Sequence, residues 1–428
     1  MIEPEEIAER RSWRRFVGMA TVDIGPLRRH RDFRLLFVGR AVSFMGSMIT
    51  AVAVPFQVYE VTRSSLAVGI ISGLEVIPIL GLAFLGGALA DAQDRRRMVQ
   101  LTELALALVS CVLVANALLP LPKLAVLYAA AVTMAGLDAL QTPSLSAMLP
   151  RLVEREELTA AGALSSLRTT MGMIVGPAVG GLLVATIGLA GTYGVDVISF
   201  VVSLIALSRM RAIPPPAGAD RPSIGRVLEG LRYAWGRPEL MGTYLVDMVA
   251  MFFGMPSSLY PAIAVRFGGA GVLGLLLAAP AAGSFVAVAT SGWSSHVHRH
   301  GLAIVIAAAS WGAAIVLFGL SPSLWLALLC LAIAGGADML SGVFRQAIWN
   351  QTIPDSLRGR LAGIEMISYS SGPTLGNLEA GAVASIFSIR AAIVSGGILC
   401  VAGVGILALA LPGFIRYTNR RQVIEAQP

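Results

Sequence analysis

An all-α membrane protein, with twelve transmembrane helices in two pseudo-symmetric six-helix bundles, is the fold this sequence predicts. Three observations carry that reading. Hydrophobic residues make up 56% of the 428 and charged residues only 13%, where soluble domains carry about 25% charged residues. Twelve apolar runs are each long enough to cross a hydrocarbon core, which takes about 20 residues of helix. One polar stretch divides these runs six and six.

In chain order the predicted spans are 35–59, 66–90, 98–119, 123–147, 159–185 and 188–208, then 240–264, 271–293, 301–320, 323–346, 361–387 and 390–412. The chain accordingly divides into a tail (1–34), a first bundle (35–208), a central loop (209–239), a second bundle (240–412) and a second tail (413–428). An even number of spans leaves both termini on one side. With that side as the cytoplasm, 25 of the 32 Lys and Arg residues lie there, four lie outside (Arg63, Lys123, Arg266, Arg390) and three fall within spans (Arg40, Arg168, Arg345). The opposite orientation reverses the positive-inside bias. A multi-pass protein of the plasma (bacterial inner) membrane with cytoplasmic termini is expected, its main partner the lipid bilayer.

The net charge of +7 sorts by membrane side and implies no nucleic-acid partner. Cys111, Cys330 and Cys400 all sit inside apolar runs, which suggests neither a disulfide framework nor a cysteine-based metal site. No cleavable leader is expected, because residues 1–30 are acidic and then arginine-rich without an adequate apolar segment. In the central loop, Pro214, Pro215 and Pro216 cannot continue a helix. After them Ile224, Val227, Leu228 and Leu231 recur at helical spacing, predicting a short amphipathic helix over 223–235 on the inner membrane surface.

The second and third spans are joined by GGALADAQDRRR at 86–97. The connection is short, so the two helices run antiparallel. Gly86 and Gly87 permit close helix approach. Asp91, Asp94 and the arginines Arg95, Arg96 and Arg97 mark the water boundary. By itself this is a basic turn of the kind that fixes topology in any membrane protein. Its pattern nevertheless resembles the loop of the major facilitator superfamily, G-x-L-A-D-x-x-G-R, with Gly87, Leu89, Ala90, Asp91, Arg95 and Arg96 in register. Asp94 stands where that superfamily most often has glycine. The resemblance implies a transporter whose loop, through Gly87, Asp91, Asp94, Arg95 and Arg96, latches a cytoplasmic gate against the other half.

The fifth span carries Gly172-x-x-x-Gly176-Pro177-x-x-Gly180-Gly181. The glycines make a flat packing face and Pro177 bends the helix. G-x-x-x-G faces are common in spans, but the whole run matches the superfamily's antiporter motif, which accompanies export. Three features recur in the same order in the two halves: Gly87/Asp91 and Gly292/His296, Asp138 and Asp338, and Gly176-Pro177-x-x-Gly180 and Gly372-Pro373-x-x-Gly376. Such repeats suit halves that rock about a site near the midplane.

Charge inside a bilayer is expensive, so ionisable residues in spans are candidates for function. Glu75, Asp247 and Asp138 are the proton-coupling candidates, with Glu75 first and Asp247 next. A neighbouring cation such as Arg40 would turn Glu75 into a structural or substrate-holding group and pass its role to Asp247. Asp338, like Asp138, also reads as a partner for neighbouring helices. Asp196 lies in the sixth span; Arg168, Arg345 and Glu365 lie nearer the cytoplasmic ends, where ion pairing and snorkelling are expected. The seventh span places Met251, Phe252 and Phe253 beside Asp247 and before Pro256, a composition that suits either packing or the wall of an adaptable cavity. Met45, Met48 and Gln57 of the first span are candidates for the facing wall, and Arg40 and Asp338 for its polar part.

His296, His298 and His300 fall in a cytoplasmic turn and are read as part of a basic loop, so no metal and no cofactor are expected. No P-loop, HExxH or GxSxG occurs, and an enzyme is not expected. Energy then comes from an ion gradient, with protons as the natural partner for the carboxylates. More narrowly, 31–411 is similar to the enterobactin-exporter-like branch of the superfamily. The similarity rests on Arg31-Asp-Phe-Arg-Leu-Leu-Phe, Val54-Pro55-Phe-Gln57-Val-Tyr59 and Leu245-Val-Asp247 through Pro256. That branch implies efflux of a siderophore, macrolide or similar amphipathic small molecule by a monomer. Gly46-Ser47 stands where many relatives have Gly-Asp, so the acid often credited with coupling there is missing. An importer on the same scaffold and a non-transporting membrane sensor or assembly partner are the alternatives.

Overall fold

In lipid, a backbone can satisfy its own N–H and C=O groups only within helices or closed barrels, and helices are what these apolar runs form. The computed structural model describes residues 23–213, 233 and 235–418, and within them the backbone alone at 83–92, 355–360 and 362–368. The helices are α1 (Gly25–Arg29), α2 (Arg31–Thr62), α3 (Ser65–Ala92), α4 (Arg95–Ala117), α5 (Leu124–Met148), α6 (Leu158–Ser208) and α7 (Pro238–Phe253). They continue as α8 (Tyr260–Phe267), α9 (Ala270–Ala289), α10 (His300–Leu320), α11 (Leu324–Thr352), α12 (Asp355–Ile386), α13 (Ile389–Ala410) and α14 (Pro412–Ile415). Among the described residues there is no strand, and ten stretches are long and apolar enough to cross a membrane.

Three predicted boundaries change. The fifth and sixth spans run on as α6, interrupted at Gly188, whose φ of 74° and ψ of 176° are not helical. The positive φ is one that glycine alone adopts without strain. The seventh span, expected as one helix over 240–264, is broken at Gly254–Pro256 and resumes through a 3₁₀ turn at Ser257–Leu259. Pro256 cannot donate a helical hydrogen bond, and the carbonyl of Gly254 is taken instead by the Trp311 indole N–H at 3.1 Å. Trp293, expected inside the eighth span, lies in a 3₁₀ helix (Ser291–His296) after α9 has ended. Of the amphipathic segment predicted at 223–235, all but Tyr233 and Trp235 lies outside the described residues.

Small residues set the packing, as is usual where lipid supplies no hydrophobic drive between helices. Gly283 of α9 lies against the backbone of Ala332, and Gly335 of α11 against that of Pro280. α2 lies along α6, α10 packs against both α11 and α13, and α7 packs against α12 and α13. Helices from the first and second parts of the chain meet chiefly as α3 with α12 and α6 with α9. Both ends of the described region are tied down. Arg29 pairs with Glu157 at 2.8 Å, with His30 on the other carboxylate oxygen. The ring of Phe414 is fully buried against Gly242, with its backbone beside Gly301.

Candidate functional site

A cavity of about 350 Å³ lies where helices from both parts of the chain converge. Ser47, Met48 and Thr50 of α2, Glu75 of α3 and Asp138 of α5 form one wall; Ser257, Ser258, Leu273 and Asn377 form the other. The volume falls in the range of small-ligand pockets. At the end that holds the α2–α3 turn, helices from the two parts of the chain approach closely. A Cβ on Gly69 would stand 2.6 Å from the Asn377 carbonyl, one on Gly381 2.8 Å from that of Ser65, and one on Gly181 2.9 Å from Gly274 Cα.

The motif glycines of α6 build the scaffold of this end. Gly172 faces the ring of Phe44, Gly176 faces Met48, and a Cβ on Gly180 would meet Ile49 Cα at 3.0 Å. Three successive turns thus clasp α2, while Gly181 and the Pro177 carbonyl turn to Gly274 of α9.

Three polar networks lie between the helices. In the first, Arg40 donates to Glu103 at 2.5 Å and Ser43 donates to the same oxygen at 3.1 Å. Gln141 links this pair to Asp138, donating to its carboxylate at 2.6 Å while accepting from Thr102 at 3.3 Å and Arg40 at 3.5 Å. In the second, the fully buried Asp196 accepts from Thr50 and Ser110, both at 2.7 Å. These contacts join α2, α4 and the second part of α6, and they fill the space that a side chain at Gly46 would need. In the third, Arg345 bonds to Asp247 and lies 3.6 Å from Asp338. Beside it is a smaller pocket of about 210 Å³ lined by Tyr244, Trp349 and Tyr369.

Of the residues singled out in the sequence, Glu75 and Asp138 face the central cavity. Arg40 is engaged by Glu103, and among the described residues no basic side chain pairs with Glu75. Asp247 and Asp338 belong to the Arg345 network and do not line the central cavity. Met45 packs its sulfur toward Gly176, and it is Met48 that reaches the cavity. Gln57 is buried and accepts from the Tyr193 hydroxyl at 2.8 Å. Met251 packs against Gly372 and Gly376, and the rings of Phe252 and Phe253 meet edge to face at 5.0 Å. Glu103 was missed, although it interrupts the apolar run 98–119 just as Glu75 interrupts 66–90. Glu379, half-buried in α12, escaped in the same way.

The side chains of Asp91 and Glu365, and the surroundings of Gly87, lie outside what the structure describes. Asp94 accepts from the Arg97 amide at 3.0 Å as the N-cap of α4, and its other oxygen accepts from the Ile213 amide at 3.1 Å. Arg96 donates to the Ser208 carbonyl at 2.9 Å and Arg95 to that of Ala147 at 3.3 Å. Each arginine therefore sits at the C-terminal end of another helix, where a cation is favoured. These contacts bind α4 to α5 and α6 within the first part of the chain. The aspartate that replaces the usual glycine thus serves as a helix cap.

A family described as transmembrane secretion effector matches residues 21–420. The chain belongs to that family. It is a transporter of the major facilitator type and a multi-pass membrane protein. An enterobactin exporter of Citrobacter koseri is 30% identical over 397 residues, covering 92% of this chain and 95% of the relative. One from Shigella boydii is 30% identical over 407 residues, covering 95% and 98%. Solved structures share the fold. A POT family transporter in complex with 5-aminolevulinic acid aligns with a TM-score of 0.71 at 13% identity, over 90% of this chain and 97% of that one. A bacterial homologue of the lysosomal transporter Spinster, in an inward-facing and unoccupied conformation, aligns at 0.67 and 17% identity, over 90% and 95%.

Proposed function

We propose that this transporter exports a small amphipathic molecule, of the siderophore or macrolide kind, from the cytoplasm in exchange for protons. On this reading the chain crosses the bilayer twelve times. The break at Gly188 divides α6 into two spans, and α12, 32 residues long, supplies another. Two six-helix bundles, 35–208 and 240–412, then face each other with both termini in the cytoplasm. The names of the 30% identical relatives support a siderophore-like cargo.

The observation that carries the proposal is the cavity between the two parts of the chain, with close helix contacts at its α2–α3 end and Glu75 bearing no basic partner among the described residues. A carboxylate so placed has few means of staying charged in a membrane, which suits a group that takes up a proton in one state and yields it in the other. Cargo enters from the cytoplasmic end. Its departure on the far side leaves Glu75 to take a proton, and the return to the inward state releases that proton inward. Proton and cargo thus alternate on one cavity wall, which is what exchange requires. Asp138, tied to Arg40 through Gln141, tunes the same wall, and the Asp247–Arg345–Asp338 network holds the other half together.

Inverted membrane vesicles with an acidic lumen test this directly. A labelled siderophore or macrolide should accumulate in them, and a protonophore should abolish the accumulation. Accumulation in right-side-out vesicles instead would mean import.

A further inference from the structure

The face of α6 that carries Gly172, Gly176 and Gly180 meets α2 at Phe44, Met48 and Ile49. Residues four apart on a helix lie on one face. One turn before Gly172 comes Arg168, and one turn before Phe44 comes Arg40, so the register that clasps the helices sets these two arginines opposite one another. Arg40 is provided for, since Glu103 bonds to it. Arg168 is not: among the described residues it makes no ion pair or hydrogen bond. Its Nε is shut off from solvent without an acceptor, and so is the Nε of Arg40.

Arg168 is part-buried, and its terminal nitrogens stay open to solvent while its Nε is sealed, so an accessible guanidinium fork stands beside a second cation. Charged side chains within membranes are nearly always paired, and the missing partner here is an anion. The position is also apt. Arg40 adjoins the cavity wall through Gln141 and Asp138, away from the close contacts at Gly69, Gly381 and Gly181.

We propose that Arg168, assisted by the free edge of Arg40, binds the anionic group of the transported molecule, a carboxylate or acidic phenol. A guanidinium fork matches such a group in a bidentate way. The assignment of the anion to cargo rests on the transport function proposed above; the site itself does not depend on the direction or coupling of transport.

The test is equilibrium binding to the full-length protein in nanodiscs of phosphatidylcholine, with salicylate and its neutral analogue salicylamide as probes. Wild type should bind salicylate about tenfold more tightly than salicylamide, a factor set by one charge-assisted pair. Arg168→Gln should erase that preference by weakening salicylate alone, and Arg168→Lys should keep part of it. Equal affinity of wild type for the two probes, or undiminished salicylate binding by Arg168→Gln, overturns the site. If Arg168→Gln fails to fold, the wild-type preference and its reduction in Arg168→Lys decide the matter. If phosphatidylglycerol in the discs abolishes salicylate binding to wild type, the anion is a lipid headgroup and the assignment to cargo is overturned. No gradient is involved, so failure here leaves proton-driven efflux standing, and failure of efflux leaves this result readable.

Discussion

The two seams that join the first and second parts of the chain occupy equivalent places and are built differently. In α6 the run Gly176-Pro177-x-x-Gly180 is followed by Gly181, which meets α9 backbone to backbone at Ala270 and Gly274. In α12 the run Gly372-Pro373-x-x-Gly376 is followed by Asn377, which meets α3 at Gly69. Asn377 also gathers polar partners. Its side-chain oxygen accepts from the Ser257 hydroxyl at 2.7 Å and the Ser258 amide at 2.9 Å, and its carbonyl accepts from the Ser258 hydroxyl at 2.7 Å. Ser257, Ser258 and Asn377 all line the cavity, whereas the other seam reaches it only through Leu273 and Leu277. One seam is held by shape alone. The other shares its hydrogen-bonding groups with the cavity wall, so on the proposed function cargo would bias closure there and not at its counterpart.

The largest effect should come from breaking the seam that depends on shape. Gly181→Leu has no space, since even a Cβ would lie 2.5 Å from the Ala270 carbonyl, and backbone cannot move aside as a side-chain tip can. Overpacking of this kind costs about 1–3 kcal/mol, or roughly 5- to 150-fold in the balance between closed and open forms of the α2–α3 end. In a cysteine-free background, Ser65→Cys at that end should then label much faster with an impermeant maleimide. Unchanged labelling would mean that the two helices do not meet there in the working protein.

A smaller and more selective effect is expected from the polar seam. Asn377→Ala leaves the buried Ser258 amide without its acceptor, at about 1–3 kcal/mol. Cargo affinity in detergent should fall together with closure, whereas Gly181→Leu should disturb closure and leave affinity near normal. Equal behaviour of the two variants would erase the distinction between the seams.

Most helix boundaries were legible because apolar length and Pro or Gly punctuation act locally. α10 begins at His300 and ends at Leu320 against a predicted 301–320. The break in the seventh span was less legible. Pro256 announced a bend, but the partners that take up the freed groups are distant in sequence: Trp311 donates to the Gly254 carbonyl and Asn377 accepts from the Ser258 amide. Among the candidates, Glu75 and Asp138 were found by the rule that charge in a span is costly, and the same rule applied throughout would have found Glu103. What no rule on single spans supplies is partnership. That Arg40 serves Glu103 and leaves Glu75 alone, that Asp196 is held by hydroxyls from two other helices, and that Asn377 stands where α6 has Gly181 all follow from how the helices dock. Met251, Phe252 and Phe253 looked suited to a cavity wall on composition, but the glycines of α12 set the way α7 packs against them.

Glu75 offers the most direct test of proton exchange at the central cavity. Glu75→Gln keeps the shape of the cavity wall and mimics the protonated carboxyl. In proteoliposomes bearing a pH gradient, this variant should bind cargo about as well as wild type and lose gradient-driven efflux. If Glu75→Gln drives cargo out at the wild-type rate under the same gradient, Glu75 is not the proton carrier and coupling runs through another group.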